Sequence, residues 1–252
     1  MKTHLRRAAF FAAIILVWAA LSAAKIWDPT LMPGPAHVAE SLWGLLADGS
    51  LLASVAVSMR RVCEGYAVSV LVGVPLGILI ARSKALEDTV GSLVAGLQAL
   101  PSICWLPLAL LWFGLNDTAI LFVVVMGSLV SVTISVQDGV HNLSPGYVRA
   151  ARTMGVRGLA LVHHVLLPAS LPSVLTGIKL GWAYAWRALM AGELLFVSVG
   201  LGHLLMTGRE LGDMAQVLAV MVVIAAIGIF TDRVVFGNLE SYVRDRYGLG
   251  RA

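Results

Sequence analysis

The longest stretch of this sequence without a charged side chain covers residues 89–116, which is 28 residues in a row. Further uncharged runs cover residues 8–24, 65–81 and 118–137. At a helical rise of about 1.5 Å per residue, runs of this length cross or nearly cross the roughly 30 Å hydrocarbon layer of a bilayer. Only 13% of the residues are charged and 59% are hydrophobic. Ordinary soluble domains carry roughly a quarter charged residues, so we expect neither a soluble globular chain nor a disordered one.

The sequence therefore predicts an all-α, polytopic membrane protein with six transmembrane helices in a single domain, residues 1–252. Pro101 and Pro107 fall within the third uncharged run, and we expect them to break or kink its helix. The start also resembles a signal peptide that ends in the small residues 22–24, but the spans that follow favour an uncleaved first span. The predicted spans are residues 8–26, 62–82, 89–113, 118–137, 169–192 and 214–232, and a long cytoplasmic loop covers 138–168.

Basic residues lie mostly on one side of the predicted spans. If the N-terminus is cytoplasmic, twelve of the 18 Lys and Arg residues lie inside and only Lys25 and Arg209 lie in outer loops. This bias predicts that both termini are cytoplasmic, and it explains the net charge of +4 without nucleic-acid binding. Cys63 and Cys104 lie in apolar runs, where we expect small packed side chains and no disulfide or metal site. The twelve inner residues are Lys2, Arg6, Arg7, Arg82, Lys84, Arg149, Arg152, Arg157, Arg233, Arg244, Arg246 and Arg251.

Four ionisable residues within or beside the spans are candidates for a transport pathway, because an unpaired charge in hydrocarbon is costly. Arg61 begins the second span near the outer mouth of the pathway, where a guanidinium attracts anions. The alternative is that its side chain snorkels to the membrane interface or pairs with Glu64. Lys179 and Arg187 lie about 80° apart in helical phase, so both could line one side of the fifth span. Glu193 lies near the outer end of that span. For Lys179, Arg187 and Glu193, the alternative is a structural role in which the side chain bonds to another helix.

Two pairs of glycines are spaced four residues apart within predicted spans. They are Gly73 with Gly77 and Gly177 with Gly181. Small residues at this spacing let two helices approach closely. The pattern predicts tight helix packing, either within the chain or between two copies of it.

The predicted inner loop reads YVRAARTMGVRGLALVHHVLLPASLP from Tyr147 to Pro172. This pattern predicts two short helices around a corner at Gly155, the second of them ended by Pro168. Without further information, an amphipathic helix on the membrane surface is the simplest interpretation. The spacing of Ala150, Ala151 and Gly155, followed by VLLP at 165–168, resembles the EAA loop of ATP-binding-cassette (ABC) importer permeases. That loop reads E-A-A, three residues, G, nine residues, I-x-L-P; here Arg149 takes the place of the glutamate.

The resemblance covers residues 30–245 and extends to ALPSICWLPLALLWFGLND at 99–117. These stretches are similar to the corresponding ones of the subfamily that imports sulfonates, taurine and nitrate. The resemblance implies a type I importer (MetI-like) permease fold in the bacterial inner membrane, and a homodimer that works with two ATPase subunits and an extracytoplasmic solute-binding protein. It implies a small organic or inorganic anion as substrate, with a neutral or cationic compound such as a pyrimidine precursor as the alternative. The residues implied to contact the ATPase are Arg149, Ala150, Ala151, Gly155, Leu167 and Pro168.

No G-x-x-x-x-G-K-[ST] pattern occurs in the sequence, so we expect ATP and Mg to be bound by the partner ATPase and no cofactor by this chain. His163 and His164 are adjacent and project about 100° apart on a helix, which is poor geometry for a shared metal. We therefore expect neither catalytic residues nor a metal site. A secondary carrier is a further alternative, but the internal repeats that are typical of such carriers are not evident.

Overall fold

The computed structural model describes residues 2–24, 27, 28, 30–195 and 198–247, and within these residues the chain forms helices and no strand. The all-α prediction is confirmed. Lys25, Arg251 and the side chains of Lys2 and Arg7, on which part of the topology prediction rests, lie outside the described part of the chain. The helices are α1 (Lys2–Ala23), α2 (Pro35–Ala47), α3 (Ser50–Arg82), α4 (Lys84–Gln98), α5 (Ser102–Phe113), α6 (Asp117–His141), α7 (Pro145–Thr153), α8 (Gly158–Glu193), α9 (Leu201–Glu210) and α10 (Met214–Arg246).

Four of the described helices are long and apolar enough to cross a membrane, namely α3, α6, α8 and α10. A bent pair, α4 with α5, makes a fifth if the two helices form one span. In α1 the apolar part, Ala9–Ala23, is shorter than a span. The predicted count of six is therefore not confirmed, because the described residues give four spans or five.

The third predicted span is broken between α4 and α5, whose axes differ by 105°. Pro101 lies at this break and precedes the 3₁₀ turn Ser102–Trp105. A proline in a helix interior removes a backbone hydrogen bond, which explains the break. Pro107 does not bend the chain, because it lies in the first turn of the α-helical part of α5. A backbone N–H at this position would have no intrahelical acceptor, so the proline removes no hydrogen bond.

The helix after the inner loop does not end at Pro168, so that expectation is wrong. Helix α8 continues through Pro168 and Pro172 as far as Glu193. A π-helical segment, Val162–Leu166, lies immediately before Leu167 and Pro168. The wider π turn shifts the hydrogen-bond register next to the proline, and the helix continues.

The helices form two compact units, each made of two stretches of chain. The first consists of Met1–Ser58 and Glu193–Ile227, and the second of Met59–Gly192 and Gly228–Ala252. In the first unit, Trp18 Nε1 donates to the carbonyl oxygen of Pro33 at 3.1 Å. The assignment of the whole chain to one domain stays a prediction.

The core of the second unit packs α3 and α8 against α6 without room for larger side chains. A Cβ atom added to Gly77 of α3 would lie 2.5 Å from the backbone oxygen of Thr133, and one added to Gly177 of α8 would overlap Ser135. The close approach expected at these glycines thus occurs within the chain. The buried core of this unit contains Ile78, Val132, Val136, Val140, Ala151, Leu161, Leu166 and Val174.

Gly77→Ala is expected to destabilise the protein, because backbone atoms of α6 occupy the space its methyl group needs. Overpacking of this kind costs about 1–3 kcal/mol, which corresponds to a melting temperature lower by several degrees. Thermal unfolding of the detergent-purified protein measures the change. Gly96→Ala is the matched control, since nothing lies within 4 Å of a Cβ at Gly96. Equal melting temperatures for the two variants would contradict the packing of α3 on α6.

Candidate functional site

The loop at residues 138–168 contains α7, which ends in a hydrogen-bond pattern that favours glycine. The Gly155 N–H donates to the Arg152 carbonyl, and the Val156 N–H donates to the Ala151 carbonyl, both at 3.0 Å. These two bonds form a Schellman motif, in which the residue after the helix adopts a left-handed conformation. Gly155 has φ of +82°, which residues with a Cβ rarely adopt. Gly155 therefore forms a fixed corner.

The two alanines of the loop differ in their surroundings. Ala151 is buried and packs in the core of the second unit with Leu161 and Leu166. Ala150 is exposed. Leu167 packs against the same core, whereas Pro168 is exposed. The side chains of α7 and its C-terminal cap that are exposed are Pro145, Tyr147, Arg149, Ala150, Arg152, Thr153 and Met154.

Arg61 of α3 is paired with an acid on another helix. Its side chain is 3% exposed, and its Nη2 lies 2.6 Å from Oδ1 of Asp117. Arg60 contacts Oδ2 of the same carboxylate at 3.0 Å. Asp117 lies in the first turn of α6, where the helix dipole also favours a negative charge. Glu64, the partner considered from the sequence, lies 3.7 Å from Arg60 instead.

Lys179 of α8 is also paired. Its Nζ lies 3.2 Å from Oδ1 of Asp232 and 3.9 Å from Oε2 of Glu240, both on α10. Asp232 belongs to the π-helical segment Thr231–Phe236. Lys179 lines a small cleft with Phe236 and Glu240. It is not among the residues that line the cavity containing Arg187, so the structure does not bring these two cations together.

Arg187 of α8 lines a cavity of about 350 Å³ at the bend between α4 and α5. Its Nε donates to the Ala183 carbonyl at 3.0 Å, and its Cζ lies 4.6 Å from the centre of the Tyr184 ring. In the described part of the chain, no carboxylate forms an ion pair with Arg187. An exposed guanidinium without such a partner can receive an anion. Polar neighbours in the cavity wall are Gln98, Ser102 and Ser131, and apolar ones are Leu97, Met126 and Val130.

Glu193, the fourth candidate, is enclosed by protein groups. Its side chain is 1% exposed. Its carboxylate accepts hydrogen bonds from the Ser58 hydroxyl, at 2.7 and 2.9 Å to the two oxygens, and from the Gly202 N–H at 3.0 Å. These contacts lie within the first unit.

Sequence reasoning did not identify the partners Asp117, Asp232 and Ser58. The sequence did contain a signal for Asp117, because Asn116 and Asp117 stand at the end of the longest uncharged run, where a helix cap is expected. In the structure the Asn116 side chain caps α6 by accepting a hydrogen bond from the Ala119 N–H at 3.1 Å. Ser58 carries no comparable signal, since serines recur along α3. Within the described residues, no group of three or more His, Cys, Asp or Glu side chains could hold a metal ion.

Comparison with known proteins identifies relatives over most of the chain. Residues 73–237 match the family described as binding-protein-dependent transport system inner membrane component. A putative ABC transporter permease of Methanocaldococcus jannaschii is 33% identical over 94% of this chain and 88% of its own length. The putative aliphatic sulfonates transport permease SsuC of Escherichia coli is 30% identical over 87% of this chain and 83% of its own length.

A further relative and a solved structure agree with this grouping. The nitrate import permease NrtB of a Synechocystis strain is 25% identical over 95% of this chain and 89% of its own length. An inward-facing structure of the MetNI methionine ABC transporter matches with a TM-score of 0.69, covering 77% of this chain and 96% of that chain at 18% identity. This likeness concerns the fold alone, and it confirms the predicted type I importer fold.

Asp117→Asn is expected to destabilise the protein, because it leaves the buried Arg61 guanidinium with less compensation. Breaking a buried ion pair costs about 3–5 kcal/mol, but Asp117 is 44% exposed, so we expect about 1–3 kcal/mol. Glu64→Gln is the matched control. Both side chains of the Arg60–Glu64 ion pair are exposed, so the pair contributes less than about 1 kcal/mol to the free energy of unfolding. Denaturant titration of both variants measures the difference. A cost for Asp117→Asn no larger than that of the control would show that Asp117 is not the main group that compensates the charge of Arg61.

Proposed function

Because the chain belongs to the family of binding-protein-dependent transport system inner membrane components, we propose that it is the permease of an ABC importer for a small organic or inorganic anion. The substrate is of the aliphatic sulfonate, taurine or nitrate type. Two copies of the chain form the translocation pathway, and both termini face the cytoplasm. Two ATPase subunits bind and hydrolyse ATP, and an extracytoplasmic solute-binding protein delivers the substrate.

The observation that carries the anion assignment is the charge of Arg187. Three of the four ionisable candidates are compensated by protein groups, namely Arg61 by Asp117, Lys179 by Asp232, and Glu193 by hydrogen-bond donors. Arg187 faces a cavity and has no carboxylate partner among the described residues. Arg187 can therefore receive the negative charge of a ligand that enters the cavity.

The chemistry of the cavity wall suits a small anion with an apolar part. A planar guanidinium donates two parallel hydrogen bonds to the oxygens of a sulfonate, carboxylate or nitrate. Ser102, Ser131 and Gln98 offer further donors in the same wall. Leu97, Met126 and Val130 offer apolar contact for a short alkyl group. The names of the similar E. coli and Synechocystis permeases, which refer to sulfonates and nitrate, support the same substrate class.

The exposed side of α7 is the proposed contact with the ATPase. Its small residue Ala150 allows close approach of a partner, while Ala151 ties the loop to the core of the second unit. A displacement of α7 would therefore reach α8 through packed side chains. Arg149 reverses the charge of the glutamate in the EAA pattern, and we expect an acidic residue opposite it on the ATPase.

Arg187→Gln is expected to lower the uptake efficiency for an anionic substrate by about 10–100-fold, because a hydrogen bond to a charged group contributes about 1.5–3 kcal/mol. Arg187→Lys keeps the charge without the planar fork and should retain part of the uptake. Uptake of radiolabelled taurine, ethanesulfonate and nitrate by cells that express the complete transporter measures the effect.

The control for this experiment is Arg209→Gln, which removes an exposed arginine at the end of α9. It should leave uptake unchanged. Uptake that is insensitive to Arg187→Gln, or transport of uracil or choline in place of the anions, would reject the anion assignment.

Gly155→Val is expected to reduce transport at least tenfold while ATP hydrolysis continues, because valine does not tolerate φ of +82° and the corner of the loop must change. Gly146→Ala is the matched control in the same loop, since Gly146 is not among the glycines with positive φ and lies in the first turn of α7. Uptake and ATPase rates of the reconstituted complex are compared. Normal uptake by the Gly155→Val variant would argue against α7 as the coupling element.

A further inference from the structure

The outer end of α8 is fixed by a buried carboxylate. Glu193 is 1% exposed, and Ser58 of α3, which faces it, is fully buried. The Ser58 Oγ lies 2.7 Å from one carboxylate oxygen and 2.9 Å from the other, so the hydroxyl donates to the acid. A buried carboxylate needs several such donors, because removing its charge from water is otherwise too costly.

The first amides of α9 supply two further hydrogen bonds. The Leu201 N–H donates to the Ser58 Oγ at 2.9 Å, and the Gly202 N–H donates to Glu193 Oε2 at 3.0 Å. Amides in the first turn of a helix have no intrahelical acceptor, and the helix dipole favours a carboxylate there. One arrangement therefore satisfies both the buried acid and the start of α9. We call Ser58, Glu193, Leu201 and Gly202 the clasp.

Two glycines make the clasp possible. A Cβ atom at Gly200 would lie 2.6 Å from Cδ of Glu193, and one at Gly202 would lie 2.5 Å from its Cβ. Any larger residue would separate α9 from the carboxylate. Gly200 and the first turn of α9 are thus closely fitted to the side chain of Glu193.

The clasp also joins the two stretches of chain that make up the first unit. These stretches are Met1–Ser58 and Glu193–Ile227, so Ser58 ends one and Glu193 begins the other. The two residues are 135 positions apart in the sequence. The contact between their side chains therefore ties α9 to α3 independently of the covalent connection from α8.

We propose that Glu193 is a positioning residue for import: its carboxylate holds the start of α9 against Ser58 of α3 and does not contact the substrate. In the proposed orientation, α9 lies on the outer side, where substrate enters the permease, and only this placement rests on the proposed function. Substrate entry then depends on α9 staying in place while Arg187 receives the anion.

Hydrogen exchange of the Leu201 and Gly202 amides tests the clasp directly, in the complete transporter in lipid nanodiscs. Glu193→Ala and Ser58→Ala should each accelerate this exchange at least tenfold. Glu193→Gln keeps the shape and one acceptor oxygen, so its exchange should stay within about threefold of the original protein. Ser54→Ala is the matched control, because Ser54 lies one turn earlier on α3 and is also buried. Unchanged exchange in the Glu193→Ala and Ser58→Ala variants would overturn the proposal.

Uptake of radiolabelled taurine distinguishes positioning from a general structural role. Glu193→Ala should raise KM at least fivefold with Vmax within twofold, and Glu193→Gln should return KM to within twofold of the original value. Equal losses of Vmax in both variants, or no change in KM, would overturn the role in import. If the unaltered protein takes up no taurine, that substrate is wrong, and hydrogen exchange still decides whether the clasp exists.

Discussion

An ionised side chain within an apolar helix must have its charge compensated, and this requirement determines how the described chain uses its few intramembrane charges. Arg61 is placed against Asp117 at the start of α6, and Lys179 against Asp232 on α10. Each pair connects two helices, so the compensation also fixes which helices are neighbours. Arg187 differs because its guanidinium faces a cavity, with a tyrosine ring and a backbone carbonyl as its contacts. This difference is the reason why we propose Arg187, and not the paired residues, as the group that receives the substrate.

Backbone hydrogen bonding imposes a second constraint, since lipid offers no partners for free N–H and C=O groups. The chain breaks a span at Pro101, and the break borders the Arg187 cavity. Irregular backbone at membrane depth is tolerated where it lines such a cavity. At Pro168 the helix instead continues, with a π-helical segment directly before the proline. Two prolines in apolar sequence thus have opposite outcomes, and the difference lies in the neighbouring backbone.

Local sequence predicted the features that depend on neighbouring residues. Uncharged runs indicated the helices, Gly155 indicated the corner after α7, and paired glycines indicated close packing. Pairings between distant residues were not predictable, because the order of residues does not reveal which helix faces which. Asp117 lies 56 residues from Arg61, and Ser58 lies 135 residues from Glu193. Glu64 was the nearer acid in sequence for Arg61, yet the structure pairs it with Arg60. The donors to Glu193 also come from distant parts of the chain, since they lie on α3 and on α9.

Helix α8 connects the loop that contains α7 to three of the four ionisable candidates. It begins three residues after the Gly155 corner, carries Lys179 and Arg187, and ends at Glu193. An α-helix moves as a unit more readily than it stretches, because backbone hydrogen bonds link its successive turns. A force on α7 would therefore reach the helix that bears Arg187.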